Sequence, residues 1–212
     1  MKLDKDMIIV DIETTGRHGM LYSVCEIGAA KVDRDLNVYD AFHSSKYIKP
    51  LEAKFLEESM NTHGITKELL VDAPGFEEVI NEFIEWTGPK GECALASWGI
   101  AFDFPFMQCQ FYKLHKRWPF HYRYFDLRTV FKWEAILKGD YERRSLKDYC
   151  DLYEVKYDKD EYHTAIGDVK MTVALFKKLK EIKEQESAHQ ASLEVKLRDY
   201  DYHAYVKTPH SF

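Results

Sequence analysis

Residues 7–13, MIIVDIE, form an apolar run that closes on two acids. A short apolar run ending at polar residues reads as a buried strand with a polar edge, and the remaining elements have to be arranged around it. SVCEIGAAKVD (23–33) and VYDAFHSSKYI (38–48) follow. Both contain β-favouring residues, and the segment from Asp33 to Asn37 has the look of a hairpin connection. The first three elements therefore predict an antiparallel meander, with Pro50 stopping the third strand.

The pattern then changes period. FEEVINEFIEW (76–86) places Phe76, Val79, Ile80, Phe83 and Ile84 at helical spacing with acids between them. Pro74 precedes it and Thr87-Gly88-Pro89 ends it. CALASW (93–98) reads as a short buried strand, 104–116 as a helix, YFD (124–126) as a strand end, and 127–136 as another helix. Ser145 is placed to cap a short helix through 151, and a long helix is predicted over 163–185. Strands first, then alternating helix and strand, predict an α/β layered domain with a mixed sheet. Residues 1–185 are read as that domain and 186–212 as a C-terminal extension. The extension is polar and then tyrosine-rich, open to reading as a docked helix, a contact for another chain, or a partly disordered tail.

With 212 residues, 45% hydrophobic and 31% charged, the chain has globular values and enough length for a core of its own. Its four cysteines, Cys25, Cys93, Cys109 and Cys150, show no zinc spacing and no disulfide framework. Reduced thiols imply a cytoplasmic setting, the host's if the chain is phage-encoded. No membrane segment is expected, because the longest apolar stretch, 93–107, contains Asp103 and Pro105. The start of the chain reaches its apolar run too quickly for a signal peptide. A net charge of −6 argues against nonspecific coating of duplex nucleic acid. It leaves open an enzyme that grips a few nucleotides through bound metal ions.

Four acids stand out. Asp11 and Glu13, two apart on a strand, project from one face and repel unless a cation lies between them. Taken alone, the pair also fits a solvated strand terminus. Thr14-Thr15-Gly16 follows, small and flexible enough for a ligand to approach closely. Asp103 lies among Phe102, Phe104 and Phe106, where an unpaired acid is costly; a helix N-cap is its ordinary alternative. Asp168 falls in the first turns of the long helix, where it also suits the macrodipole, and His163 lies five residues earlier. Together these residues can converge on one divalent-metal site, and oxygen ligands suit Mg²⁺ or Mn²⁺. Two such ions about 4 Å apart can activate water and stabilise the leaving oxygen of a phosphodiester. A nearby histidine with a near-neutral pKa can take the proton from that water.

IIVDIETTG, EIGAA, HGIT (63–66), FDFPF and HTAIGD stand in this order over residues 7 to 180. In this order they resemble the DEDDh (DnaQ-like) 3′-to-5′ exonucleases. The resemblance implies a ribonuclease H-like fold, a five-stranded mixed sheet with its first three strands antiparallel and helices around it. It implies that Asp11, Glu13, Asp103 and Asp168 hold two metal ions and that His163 is the general base. Asp11 would approach both ions, Glu13 and Asp168 the ion on the side of the attacking water, and Asp103 the other side. Nucleoside 5′-monophosphates would leave from a 3′ end. Thr14, Thr15 and Gly16 would clamp the terminal nucleotide, with Trp98 and Phe102 as further substrate contacts. The chain departs from many members at Trp98-Gly99, where they carry His and Asn, and its SWG string is similar to a subset that includes RNA-trimming enzymes.

Between Lys113 and Lys147 ten Lys and Arg residues alternate with rings such as Trp118, Tyr124 and Trp133. Cations beside aromatic rings suit an unpaired strand. A solvated helical face over core aromatics is the structural alternative. Together with the family resemblance, which implies a 3′ end, the expected partner is the 3′ end of a single strand, DNA before RNA, with a polymerase or a second copy of the chain as further candidates. Exoribonucleolytic trimming of RNA, or an accessory binding or proofreading subunit, are the alternatives. A phosphatase of the haloacid dehalogenase type would need D-x-D-x-T, and Glu13 would misplace its second acid.

Overall fold

The computed structural model describes residues 3–44, 47–121 and 123–206, with side chains as far as Glu194. Five strands, β1 (Met7–Thr14), β2 (Val24–Val32), β3 (Val38–His43), β4 (Ala94–Ser97) and β5 (Tyr124–Asp126), form one sheet in the order β3-β2-β1-β4-β5. β1–β2 and β2–β3 are antiparallel, and β1–β4 and β4–β5 are parallel. The sheet is the mixed, five-stranded, ribonuclease H-like sheet expected. The described residues of the chain's last segment, 186–206, are helical; 207–212 lie outside the described residues.

β1 sits in the middle of the sheet, which is why its run is apolar almost throughout. Ile8, Val10 and Ile12 point to one face and join a core with Phe76, Val79, Ile80 and Phe83 of α3 (Phe76–Thr87) and Phe106, Met107 and Phe111 of α4 (Ile100–Lys113). Strand alternation sends Met7, Ile9, Asp11 and Glu13 to the other face. The acids therefore end an apolar row on the face opposite α3 and α4. Two short helices, α1 (Glu57–His63) and α2 (Lys67–Val71), follow β3. α5 (Leu127–Leu137) is capped by Asp126, and α6 (Leu146–Leu152) by a capping box between Ser145 and Asp148.

α4 begins at Ile100, four residues earlier than the sequence reading, and carries Pro105 inside it. Its N-cap is Gly99, so Asp103 does not cap this helix. α7 runs from Ala165 to Val206, well past the expected end at 185. No Gly or Pro occurs from Asp168 to Thr208 to break it. The described residues divide into two units, with the boundary between Phe176 and Lys177 inside α7. The first holds the sheet, α1 to α6 and the first three turns of α7, with Ala165, Val169, Met171 and Leu175 buried. The second is the remainder of α7, carrying Lys180–Glu184 and Lys183–Glu186 pairs and exposed residues from Gln185 to Glu194. All four cysteines are free thiols, and no helix among the described residues is long and apolar enough to cross a membrane.

Candidate active site

The site forms where α7 crosses the sheet. Asp11 pairs with Gly28 across the β1–β2 ladder, and Glu13 pairs with Glu26. A Cβ on Gly28 would lie 2.4 Å from the backbone of Ala165 and Ile166, so the first turn of α7 rests directly on this glycine. Glu26 fixes the contact: one carboxylate oxygen accepts from the Ala165 N–H at 3.1 Å, and the other meets His43 Nε2 at 2.7 Å. Asp168, one turn into α7, is thereby carried to Asp11 and Glu13. The ladder also shifts register between Glu13 and Thr14, a bulge of the kind that re-aims side chains at functional strand ends. Gly28→Ala is expected to lower stability by about 1–3 kcal/mol through overpacking, read as a fall in thermal midpoint. An unchanged midpoint would mean that α7 does not rest on β2 as described.

Each of Asp11, Glu13 and Asp168 offers a carboxylate oxygen, and the three lie within 4.8 Å of one another. Asp103 stands outside this triad, yet close enough that its charge acts on both Asp11 and Glu13. It is buried at 4% exposure, and the Ser97 hydroxyl donates to it. Burial raises all four carboxyl pKa values: Asp103 to about 7, Asp168 to about 6, and Asp11 and Glu13 well above the ordinary carboxylate value. The other charges acting on Asp11, those of Asp103, Glu13, Asp168 and Glu26, are all negative. Oxygen donors gathered with mutual repulsion, and with no positive charge among the described residues acting on Asp11 or Glu13, suit a hard divalent ion.

His163 adopts a left-handed φ of 63°, an uncommon conformation for a residue with a side chain. Its N–H donates to Asp168 Oδ1 at 3.3 Å, which ties the loop to the acid. The Thr164 hydroxyl accepts the Gly167 N–H at 3.1 Å, so Thr164, and not His163, caps the start of α7. Gly167 is needed because a Cβ there would lie 1.9 Å from the Glu161 carbonyl oxygen. Burial lowers the His163 pKa, which leaves its imidazole neutral and able to accept a proton at neutral pH.

The Thr14 hydroxyl donates to the Gly16 carbonyl, and the Thr15 hydroxyl accepts from the Ser23 N–H. Both threonines are buried, and the Thr15 N–H already bonds the Ser23 carbonyl. Gly16 lies against the Tyr22 ring. Trp98 is half-buried and packs on Phe131 and Tyr149. Phe102 is 44% exposed, beside Asp103. The sequence reading assigned no role to Glu26 or His63, although EIGAA and HGIT contain them. His63 Nε2 lies 3.1 Å from the Thr14 carbonyl and must donate to it, while Nδ1 accepts from Ile65 N–H, which fixes a neutral tautomer beside the strand end.

A ribonuclease H-like sheet with carboxylates gathered at the carboxyl end of its central strand defines the class of protein. The chain belongs to the RNase_T exonuclease family, whose model matches residues 8–176. It is 26% identical over 204 residues to a DNA polymerase III PolC-type protein of Staphylococcus haemolyticus, covering 96% of this chain and 13% of that protein. The chain thus spans only a small part of that relative. Among solved structures it is similar to E. coli Exonuclease I in complex with a dT13 oligonucleotide, with TM-score 0.73 and 16% identity over 88% of this chain and 43% of that one. It is also similar to the nuclease domain of 3′hExo, a DEDDh family member bound to rAMP, with TM-score 0.68 and 18% identity over 84% of this chain and 92% of that one. The structural likenesses bear on fold, and the family match agrees with the DEDDh resemblance of the sequence.

Proposed function

We propose that this domain removes nucleoside 5′-monophosphates from the 3′ end of a single strand, with DNA preferred. The observation that carries this reading is the convergence of Asp11, Glu13 and Asp168 within 4.8 Å, in a chain of the exonuclease family. Asp11, Glu13, Asp103 and Asp168 would hold two Mg²⁺ or Mn²⁺ ions. A divalent cation supplies positive charge against the phosphoryl oxygens as the bond breaks. His163 takes the proton from the attacking water, and Asp168 holds the His163 backbone in place to do so. Thr14 and Thr15 shape the strand end, and Phe102 offers a ring to a substrate base.

DNA preference is supported by the 26% identity to a DNA polymerase III PolC-type protein. That likeness also favours work beside a polymerase, as a proofreading activity. RNA trimming is the second reading, favoured by the Trp98-Gly99 pair. A cytoplasmic setting fits the four free thiols.

The test is degradation of matched single-stranded DNA, duplex DNA and RNA, each carrying a 5′ or a 3′ label. A 5′-labelled strand should give a descending ladder with no early mononucleotide, fastest for single-stranded DNA. Early release of the 5′ label as a mononucleotide would overturn the polarity, and faster loss of RNA would overturn the DNA preference.

A further inference from the structure

The basic and aromatic window at 113–147 is sorted by the fold. Phe120 and Phe131 are core residues, and Trp118 packs among Phe104, Phe111 and Phe120. Lys113, Lys116, Arg144 and Lys147 are paired with acids. Arg128 and Lys132, by contrast, line a cleft of about 1080 Å³ together with residues from outside the window. One wall is the loop at Arg17–Met20, the floor is α4, and the other wall is the start of α5.

The floor is an uncharged stripe of α4 with exposed rings at its ends, Phe102 at 44% and Tyr112 at 80%. The rims carry cations. Arg128 makes no ion pair among the described residues, and Lys132 donates to the backbone carbonyl of Glu142 with no ion pair among them either, although its charge also acts on Asp140. Arg17 pairs with Glu58, but both side chains are more than half exposed, and such surface pairs yield readily to another anion. The loop wall is built. Buried Gln110 donates to the carbonyls of Gly19 at 2.7 Å and Tyr22 at 3.0 Å, and Lys113 donates to that of Met20 at 3.0 Å. The cleft adjoins the acidic centre at one end: Phe102 precedes Asp103, and Asp126 lines the cleft while its charge acts on Asp103.

We propose that this cleft carries the unpaired strand upstream of the scissile end, with bases against Phe102 and Tyr112 and phosphates against Arg17, Arg128 and Lys132. This rests on the exonuclease reading above. Rings that stack on base faces select an unpaired strand, and cations on the rims follow its backbone. Ten residues of helix separate the two rings, about 15 Å at the α-helical rise. At roughly 3.4 Å per stacked nucleotide this is a length of about four nucleotides.

Two variants test it, Tyr112→Ala and the double variant Arg128→Gln with Lys132→Gln. The p-nitrophenyl ester of thymidine 5′-monophosphate reads the chemistry of the acidic centre without the upstream strand. An unpaired 12-mer reads both, and anisotropy of the labelled 12-mer in EDTA reads binding without turnover. Hydrolysis of the ester should be unchanged in both variants. Affinity for the 12-mer should fall roughly 10- to 100-fold in Tyr112→Ala, the worth of one stacked base. In the double variant the slope of log affinity against log salt should fall by roughly 1.4, about 0.7 for each phosphate that the protein no longer neutralises. Unchanged affinity and salt slope in both variants would overturn the cleft. A wild-type protein inert towards both substrates, with 12-mer binding still impaired in the variants, would sink the exonuclease reading and keep the cleft.

Discussion

Asp11→Ala is expected to lower phosphodiester hydrolysis by ~10³-fold or more, while raising the melting temperature of the metal-free protein. A metal ion contributes several kcal/mol of charge stabilisation to the transition state, and each ~1.4 kcal/mol is a decade in rate. The two effects share one cause. Asp11 faces Asp103, Glu13, Asp168 and Glu26, and without a cation each of these disfavours its ionised form. Removing it relieves the cluster and discards a ligand. Asp168→Ala should likewise abolish turnover.

Burial of these carboxyls, with their mutual repulsion second, sets a pH dependence. With pKa values raised in the fold, the native metal-free protein holds protons that the unfolded chain has released. The cluster's contribution to stability is full below about pH 4, the ordinary carboxylate value. It is lost as pH rises through about 6 for Asp168 and about 7 for Asp103. Thermal unfolding in EDTA should therefore show this contribution shrinking between about pH 4 and 7, and saturating Mg²⁺ should restore stability at the upper end. An Asp11→Ala protein that loses this pH dependence only in part would match the remaining acids. One that melts lower than wild type at about pH 7.5 in EDTA, above the raised carboxyl values, would contradict the account.

His163→Ala should lower turnover by roughly 10²–10⁴-fold with little change in metal affinity. A base must be unprotonated, so the wild-type rate should fall on the acidic side. Burial lowers the His163 pKa, which places that fall below the usual imidazole value of about 6.5. The variant should lose this limb. A merely structural role predicts a lowered melting temperature with an unaltered profile per folded molecule. Thr164, the residue that caps α7, makes that alternative the less expected result.

Much of this site was legible in the order of residues. Asp11 and Glu13 could be read because the acids terminate an apolar run, and period-two alternation puts them on one face. Asp168 could be read because it falls in the first turns of a long helix, and His163 because the H-x-A-x-x-D string of the family resemblance carries it. What could not be read was register. Nothing local pairs Asp11 with Gly28, yet that pairing allows α7 to rest on β2. Glu26 looked like one polar position in a strand, and its partners, His43 and the Ala165 N–H, lie 17 and 139 residues away. The start of α4 was misplaced because Asp103 and Pro105 mimic a helix beginning, while Asp103 in fact turns inward to Ser97. The aromatic window could not be sorted from sequence: it shows rings among cations, and only packing shows that Trp118 faces inward while Tyr124 and Trp133 stay exposed.

If the Asp11, Glu13 and Asp168 cluster holds the divalent ions on which 3′-end hydrolysis depends, metal binding and turnover must rise together. Calorimetric titration of Mn²⁺ into wild type and Asp11→Ala, beside release of mononucleotide from a single-stranded 12-mer at each Mn²⁺ concentration, tests it most directly. Wild type should show saturable binding and turnover that rises along the same isotherm, and the variant should lose both. Full turnover in EDTA, or Mn²⁺ binding left unchanged by Asp11→Ala, would contradict it.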